Sequence, residues 1–367
     1  MKRLSLIFAA LMLAILPSIA DDGNATITLS HNGITTTFPY NQPYAAVDNA
    51  VDGDTIYFGA GKVEGDFTLT KKLTFIGVGA DREYHSEING YYPYTEYSGN
   101  IVINLPENTK LASRLFEGIY FSWASSDITF QTFTQNVMFK KCYISRSINN
   151  GPQGINGLYF DRCEIADRIC SSIWYVNNVI CRNCKLRDSG APNRYAQNWH
   201  FYNCTFTNLS IYGSSAPDGT SYNYCGECQG IFVNCIFNSH YNDDYRSLPL
   251  FAYRSDYPET TIASFTNCLF YPQIEELGVD MFAPGTTTSE IMYYTKKDDS
   301  SNAIEFLTKE ELEQNNYFGT DGTVVGCYGG KNPFSLHQSQ AKISSAKVHL
   351  DKEEGNIQIK VNVSVTQ

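Results

Sequence analysis

Hydrophobic and polar positions recur along the middle of this chain with a period close to 21 residues. Six cysteines mark the repeat, at steps of 21, 21, 20, 31 and 33 residues. An apolar residue stands three positions before each cysteine, and another stands two positions after it. A repeat of this length predicts a solenoid of stacked coils. The six segments are Phe139–Ile144, Phe160–Ile165, Cys181–Leu186, Phe201–Phe206, Phe232–Phe237 and Phe265–Phe270.

The apolar positions within a repeat do not fit one continuous strand. Residues three positions apart face opposite sides of a strand, yet the residue at minus three and the cysteine are both expected inside. A bend directly before the cysteine resolves the conflict. Asn tolerates left-handed backbone better than other non-glycine residues, and it occupies this bend position in four repeats. The four are Asn183, Asn203, Asn234 and Asn267.

Each repeat is therefore predicted to run strand, bend, strand, and the stacked repeats to form a parallel β-helix. Neighbouring coils would lie about 4.8 Å apart, with the cysteines in one interior column. A leucine-rich horseshoe is disfavoured because it needs several leucines per repeat, and a propeller because its blades need about 40 residues.

The same pattern extends toward the N-terminus. Gly118 takes the bend position and Ile119 the cysteine position. Leu73 lies 46 residues before Ile119, which predicts two coils of 23 residues, with the intervening coil near residues 101–103.

The two ends of the solenoid have their own patterns. Short alternating strands are predicted over 24–38, followed by an amphipathic helix over 43–52 that caps the open end. At the other end, Thr308 and Glu311 form a capping box that opens a short helix. Two alternating strands are predicted near 342–350 and 356–365.

Several of these segments carry a family resemblance. Residues 50–58 (Ala-Val-Asp-Gly-Asp-Thr-Ile-Tyr-Phe) and 72–77 (Lys-Leu-Thr-Phe-Ile-Gly) resemble the first coil of the right-handed parallel β-helix, or pectin-lyase-like, superfamily. The Asn residues at the bend are similar to its second turn. Residues 321–333, followed by a strand pair, are similar to the tail of secreted bacterial β-helix proteins.

The resemblance covers about residues 40–335 and implies an all-β fold. The expected organisation is a right-handed parallel β-helix over 21–335, with an N-terminal strand and helix cap, and a C-terminal strand tail over 336–367. Activity does not follow from it, because the superfamily includes polysaccharide lyases, glycoside hydrolases, esterases, adhesins and proteins without known chemistry.

Residues 1–20 are typical of a secretory signal peptide. Lys2 and Arg3 precede a nearly apolar run over 4–16, and small residues end at Ala20. The run is short for a membrane anchor, and no stop-transfer segment follows. The protein is therefore expected to be exported, to the periplasm, the cell surface or the medium, without membrane insertion.

The charge of the chain narrows the class of partner. The 27 Lys and Arg residues against 38 Asp and Glu residues give a net charge of −11, and cleavage after Ala20 removes two of the basic residues. This excess of negative charge argues against nucleic acid and anionic membranes as binding partners. Calcium and neutral polymers remain compatible, and the oligomeric state stays open.

The resemblance implies two kinds of catalytic site. The family's lyases use clustered carboxylates that hold Ca²⁺ and an Arg or Lys base, and its hydrolases use Asp pairs near a Gly-His-Gly motif. The chain has no Gly-His-Gly, and its Asp243–Asp244 pair lies in an insertion. Hydrolase chemistry therefore loses support, and lyase chemistry stays open.

Charged residues stack with alternating sign at the outward coil positions. One predicted column runs Lys140, Asp161, Arg182, and a second pairs Glu164 with Lys185. These columns predict surface ion pairs, each contributing about 0–1 kcal/mol. The alternative is a catalytic carboxylate beside a base.

The chain has 11 cysteines and two Cys-x-x-Cys pairs. Such pairs are typical of zinc sites, but the repeat places Cys181 and Cys184 inside as packing residues. The pair at 225–228 lies in an insertion, where a local disulfide or a bond to Cys170 is the alternative. Disulfide pairing stays open for Cys170, Cys225, Cys228 and Cys327.

The period fails after Cys204 and after Cys235, where insertions follow at about 208–228 and 239–260. Insertions grouped on one side of a rigid scaffold commonly build a binding site. Their tyrosines offer rings for stacking on sugars. The candidates are Tyr212, Tyr222, Tyr224, Tyr241, Tyr245, Tyr253 and Tyr257.

These insertions predict a protein that binds a polysaccharide or glycan on the side of its middle coils. A lyase or hydrolase acting from the same face is the alternative, with Asp243, Asp244, Arg246 and Arg254 as candidate catalytic residues. Asp243 and Asp244 are also the candidate calcium ligands. A structural or adhesive surface module is the third hypothesis.

Overall fold

The structure is a computed structural model that describes fourteen segments of the chain. They are residues 24–81, 94–112, 114–122, 127–146, 148–150, 154–166, 176–187, 197–207, 230–238, 263–271, 287–293, 307–337, 341–350 and 357–365.

Nearly all regular structure in these segments is β-strand. In chain order, the first half contains β1 (Ile27–His31), β2 (Ile34–Phe38), α1 (Pro43–Asn49), β3 (Thr55–Phe58), β4 (Gly61–Glu64), β5 (Phe67–Leu69), β6 (Thr74–Ile76), β7 (Thr95–Ser98), β8 (Ile101–Ile103), β9 (Thr109–Lys110), β10 (Phe116–Glu117), β11 (Tyr120–Phe121), β12 (Ile128–Phe130), β13 (Thr134–Lys140), β14 (Tyr143–Ile144) and β15 (Ile148–Asn150). The second half contains β16 (Ile155–Asp161), β17 (Glu164–Ile165), β18 (Val176–Arg182), β19 (Lys185–Arg187), β20 (Gln197–Tyr202), β21 (Thr205–Thr207), β22 (Gly230–Val233), β23 (Ile236–Asn238), β24 (Ala263–Thr266), β25 (Leu269–Tyr271), β26 (Thr287–Ser289), β27 (Met292–Tyr293), α2 (Lys309–Gln314), β28 (Ala341–Leu350) and β29 (Ile357–Val365).

Three parallel sheets wind around one core, which confirms the predicted β-helix. Sheet 1 has the order β2-β1-β3-β6-β10-β13-β16-β18-β20-β22-β24-β26, with β9 beside β13. Sheet 2 runs from β4 through β7, β11, β14, β17, β19, β21, β23 and β25 to β27, and sheet 3 contains β5, β8, β12 and β15. The chain passes from sheet to sheet in each coil, and β28 and β29 form a separate antiparallel pair.

The predicted bend lies between sheets 1 and 2 and is confirmed. The residue before each cysteine column position has positive φ, from 48° at Asn267 to 67° at Gly118. Lys141, Arg162 and Glu290 adopt the same backbone although they are not Asn or Gly. The bend is therefore required by the geometry of the coil. Among residues other than glycine, Asn adopts this left-handed backbone with the least strain.

The interior consists of stacked columns, as the repeat predicts. The column three positions before the cysteine pairs Phe139 with Phe160, Phe201 with Phe232, and so on along sheet 1. The rings of Phe201 and Phe232 are 4.9 Å apart and nearly parallel. Stacking of this kind adds to the burial of apolar area in holding successive coils together.

The cysteine column is a packing column. Every cysteine in the described segments is a buried free thiol, including Cys181, Cys184 and Cys327. Burial raises the pKa of Cys163 and Cys204 well above its ordinary value, so these thiols stay protonated and pack as small apolar groups. Cys170, Cys225 and Cys228 lie outside the described residues.

One part of the predicted register is wrong. Phe75 pairs directly with Phe116 and so takes the position three before the cysteine column, whereas the prediction aligned Leu73 with Ile119 in the cysteine column itself. Residues 101–103 form a sheet 3 strand of that same coil and not a coil of their own. One coil of 41 residues separates Phe75 from Phe116, and its length made it resemble two short coils.

Both predicted ends are confirmed. Helix α1 covers the first coil with Ala46 and Val47 buried, and β1 continues sheet 1 with Ile27 buried. Thr308 caps α2 by accepting a bond from the Glu311 N–H, and the Glu311 side chain returns to the Thr308 backbone. The two C-terminal strands match their predicted ranges.

Candidate functional site

Residues 316–337, here called the strap, run along the outer face of sheet 2. Near the last coils, Val324 and Val325 pack against Ile236 and Leu269. Near the first coils, Leu336 packs against Ala80, Tyr94 and Tyr120. The strap therefore crosses the sheet from one end of the solenoid to the other.

Side chains of the bend position hold the strap. Asn183 Nδ2 donates to the carbonyls of Cys327 at 3.2 Å and Gly329 at 2.7 Å. Asn234 Oδ1 accepts from the Thr320 N–H at 3.0 Å. The bend asparagines thus have a second role that the repeat does not reveal: they bind a segment more than 80 residues further along the chain.

The strap lies close to the sheet because it carries glycine at contact points. Gly326 has φ +79°, and a Cβ there would come 2.5 Å from Ile236 Cδ1 and 2.8 Å from Thr205 Oγ1. The Cys327 N–H donates to the same Thr205 hydroxyl at 3.0 Å.

The strap also buries part of the predicted ion-pair surface. Glu164 is only 5% exposed, and Lys185 Nζ lies 4.5 Å from the ring centroid of Phe334. Burial acts to lower the pKa of Lys185, but Cys327, Tyr328 and Glu164 raise it above its ordinary value. Glu164 is therefore buried beneath the strap and Lys185 is half-buried, so the two are not the fully exposed surface pair that the sequence predicts.

The first column of charges also differs from its prediction. Lys140 Nζ bonds Glu117 at 3.0 Å, and Asp161 bonds the neighbouring Arg162 at 2.7 Å. Arg182 instead lies over a ring, with its Cζ 5.8 Å from the centroid of Tyr202.

The outer face of sheet 1 has a different character, because a chain of polar side chains crosses β16, β18 and β20. We call Asn156, Asn178, Asn198, His200 and Tyr202 the polar ladder. Asn178 Nδ2 donates to Asn156 Oδ1, and Asn198 Nδ2 donates to Asn178 Oδ1, each at 2.5 Å. His200 Nε2 lies 2.5 Å from Asn198 Oδ1, and its Nδ1 lies 3.1 Å from the Tyr202 hydroxyl.

The partners of His200 specify its tautomer. Asn198 already donates through Nδ2, so its Oδ1 accepts, and His200 Nε2 must carry a proton. In the neutral imidazole, the Tyr202 hydroxyl then donates to Nδ1. The donors then follow one order, from Tyr202 through His200 to Asn198 along β20 and on across the strands to Asn178 and Asn156.

Local backbone geometry places the ladder on the surface. Asn136, Gly157, Asn178 and Asn198 all have positive φ, between 58° and 83°, and they occupy one position six residues before the cysteine. This second left-handed position locally interrupts the strand pairing of sheet 1. Asn198 is exposed, and His200 and Tyr202 are half-buried.

The polar ladder could have been predicted from the sequence, because its residues recur at fixed positions in the repeat. Reading the outward positions four and six before each cysteine gives His200 and the Asn or Gly residues of the second bend. Only the positions two before and one after the cysteine were compared, so the ladder was missed.

All sequence-predicted site residues fall in the two insertions and lie outside the described residues. This applies to the tyrosines Tyr212, Tyr222, Tyr224, Tyr241, Tyr245, Tyr253 and Tyr257, and to Asp243, Asp244, Arg246 and Arg254. The insertions lie between β21 and β22 and between β23 and β24, so the first ends at β22, next to the His200 strand β20, and the second ends one strand further, at β24.

The described segments show neither a metal site nor a membrane-spanning helix. They contain no group of three or more His, Cys, Asp and Glu side chains arranged to hold a metal ion. Within the same segments, no helix combines the length and apolar character needed to cross a membrane. The predicted calcium ligands Asp243 and Asp244 lie elsewhere and stay a prediction.

Comparison of the chain with protein-family models, with curated proteins and with solved structures finds no match in any of the three.

Proposed function

We propose that this protein is an extracytoplasmic β-helix protein that binds a polysaccharide or glycan on the outer face of sheet 1. The observation that carries the proposal is the polar ladder, with Arg182 stacked on Tyr202 beside it. Amide, imidazole, phenol and guanidinium groups supply the donors and acceptors that sugar hydroxyls require, and aromatic rings supply stacking surface.

The regular spacing of the coils favours a polymer over a small ligand. The adjacent strands β18 and β20 present Asn178 and Asn198 at the same repeat position, about 4.8 Å apart, and a polysaccharide likewise repeats its hydroxyl groups along its length. The ladder crosses β16, β18 and β20, so the ligand would lie across the coils.

The insertions after Cys204 and Cys235 join this face at β22 and β24. They contain the candidate tyrosines together with Asp243, Asp244, Arg246 and Arg254. We propose that they complete the binding surface.

A glycan array tests the proposal, with Arg182→Ala and His200→Ala compared with wild type. Removal of a polar contact to the ligand is expected to weaken binding about tenfold or more. Arg146→Ala is the matched control, since Arg146 lies beyond β14, away from sheet 1, and pairs with Asp127. Equal binding by all four proteins would contradict a site on sheet 1, and absence of binding by wild type would favour the structural or adhesive module.

The enzyme alternative is tested in the same samples. A polysaccharide panel is assayed for new reducing ends and for unsaturated products. Formation of either product would make the protein a hydrolase or a lyase acting from this face, and variants at Asp243, Asp244, Arg246 and Arg254 would then identify the catalytic groups.

Membership of the right-handed, pectin-lyase-like superfamily is part of the proposal. The three-sided coil and the Asn-rich bend support it, and parallel crossovers are right-handed in almost all proteins. Export is supported by the pattern of residues 1–20, and N-terminal sequencing of the exported protein is expected to begin at Asp21.

A further inference from the structure

We propose that the ligand of sheet 1 is an uncharged glycan of flat pyranose residues, whose rings lie on a row of mostly apolar side chains. A flat residue is one whose hydroxyl groups and linkages are all equatorial. The inference rests on the proposed glycan site and names the class of sugar that this site takes. It is carried by a second set of side chains, next to the polar ladder.

This second set crosses the outer face of sheet 1 at the position four before the cysteine. The strand registers place its members directly beside one another from coil to coil. Ile231 is 39% exposed, and the other members are half-buried. The set shares the imidazole of His200 with the polar ladder. We call it the apolar row, and its members are Met138, Tyr159, Ile180, His200 and Ile231.

The apolar row faces outward because the columns on both sides of it face inward. On β18, Val179 and Cys181 are fully buried in the core, so Ile180 between them points to the opposite side of the sheet. Packing of the core therefore does not account for the apolar side chains of this row. A continuous exposed apolar surface with polar borders is typical of an interaction site.

Polar side chains border the apolar row on both sides. Toward the start of the strands lie the amides of Asn156, Asn178 and Asn198. Toward the bend, Arg182 lies over the ring of Tyr202. Alternate residues of a strand are about 6–7 Å apart on one face. A sugar ring on the apolar row would therefore have polar groups beside its rim on both sides.

This cross-section matches a pyranose ring whose hydroxyl groups are all equatorial. Such a ring carries C–H groups on its two faces and hydroxyl groups around its rim. One face would displace water from the apolar row, and the rim hydroxyls would bond the polar borders. An axial hydroxyl would instead be pressed against Tyr159 or Ile180 without a hydrogen-bond partner, which disfavours binding.

The charges on this face favour an uncharged ligand. Lys140 bonds Glu117 at 3.0 Å. Asp161 likewise bonds Arg162 at 2.7 Å, so these charges are satisfied within the protein. The whole chain has a net charge of −11, which repels a polymer that carries a carboxylate or sulfate on every residue.

The length of the apolar row sets the length of glycan that it can hold. Its five side chains lie on adjacent strands and span about 19 Å at about 4.8 Å per coil. An extended chain of 1,4-linked equatorial sugars advances by nearly one coil spacing per residue, so about five sugar residues cover the row. Beyond Ile231 the same position is Ser264, where the apolar row ends.

Isothermal titration calorimetry with 1,4-linked β-gluco-oligosaccharides of increasing length tests the inference. All ring hydroxyls of these sugars are equatorial. Affinity is expected to rise with length up to about five residues and to stay level beyond that. The matched ligands are 1,4-linked β-manno-oligosaccharides, which differ by one axial hydroxyl per residue and are expected to bind about tenfold more weakly. An oligogalacturonate, with a carboxylate on each residue, is also expected to bind more weakly than the gluco series.

Two variants remove apolar surface from the row and leave the polar ladder in place. Ile180→Ser and Ile231→Ser are each expected to weaken binding of the gluco-oligosaccharides about fivefold to tenfold. The heat-capacity change of binding is expected to become less negative in both. Ile34→Ser is the matched control, because Ile34 is 70% exposed on β2 at the N-terminal end of sheet 1, and it should bind like wild type. Thermal unfolding checks that each variant is folded.

The outcomes separate this inference from the glycan site on which it rests. Manno-oligosaccharides or an oligogalacturonate that bind as tightly as the gluco series would overturn the inference. Serine variants that bind like wild type would do the same. In both cases the glycan site itself stands if Arg182→Ala and His200→Ala weaken binding. Absence of binding to every glycan would instead contradict the proposed function, and this inference with it.

Discussion

The outer faces of sheets 1 and 2 are built from the same coils, yet one is covered and the other is open. On sheet 2, Asn183 donates to strap carbonyls, Asn234 accepts from the Thr320 N–H, and both asparagines are less than a tenth exposed. On sheet 1, Asn178 and Asn198 have the same left-handed backbone but bond one another at the surface. The same residue type in the same conformation therefore serves stability on one face and recognition, as we propose, on the other.

The largest expected effect comes from forcing the strap away from sheet 2. Gly326→Val places a Cβ 2.5 Å from Ile236 Cδ1 and puts a branched residue at φ +79°. Clash and backbone strain together are expected to lower the free energy of unfolding by about 2–5 kcal/mol. Chemical denaturation measures the loss, and limited proteolysis is expected to cut within the strap.

Gly322→Val is the matched control for that variant. Gly322 is also in the strap and has φ +74°, but a Cβ there would meet nothing within 4 Å. Gly322→Val is expected to lower the free energy of unfolding by about 1–3 kcal/mol, because it adds backbone strain without a clash. Equal losses at the two positions would mean that close contact with sheet 2 contributes little.

A smaller effect separates the two kinds of asparagine. Asn183→Gly keeps the left-handed backbone but removes the donor for two carbonyls of buried strap residues, and about 2 kcal/mol of stability is expected to be lost. Asn198→Gly, on sheet 1, removes exposed hydrogen bonds and is expected to cost about 1 kcal/mol or less. Both are measured by denaturation, and the reverse order would contradict the distinction between the faces.

The smallest expected effect is the pH dependence of stability that comes from Asp321. Partial burial acts to raise the pKa of Asp321, but bonds from the Thr323 hydroxyl and N–H and from Asn203 hold that pKa below its ordinary value. A lowered carboxyl pKa stabilises the fold above the ordinary value, and the contribution is lost as pH falls through the lowered one.

Wild type is therefore expected to melt slightly above Asp321→Asn at pH 7, and the difference should shrink near pH 3. A difference that persists unchanged into acid would mean that the charge of Asp321 does not stabilise the strap.

The sequence predicts whatever is periodic and local. The register of the middle coils, the bend before each cysteine and the Thr308 capping box all follow from spacing and residue type, as does the helix predicted over 43–52, which ends at Asn49. The coil between Phe75 and Phe116 was misjudged because its insertion doubled its length. There, hydrophobic spacing alone does not distinguish one long coil from two short ones.

Contacts between segments far apart in the chain cannot be predicted from periodicity or residue type. Nothing in the repeat indicates that Asn183 bonds Gly329, 146 positions later. The polar ladder, in contrast, was predictable, because His200 and Asn198 stand at fixed positions in the repeat. The insertion residues, which follow no period, stay predictions.

The strap also has a consequence for the order of folding. Its bonds join residues as far apart as Lys141 and His337, 196 positions, whereas consecutive coils join residues about 21 positions apart. Coils can therefore form early through short loops, while the strap must wait until the last coil exists. A chain that stops short would leave sheet 2 uncovered and its bend amides without partners, so attachment of the strap reports that the solenoid is complete.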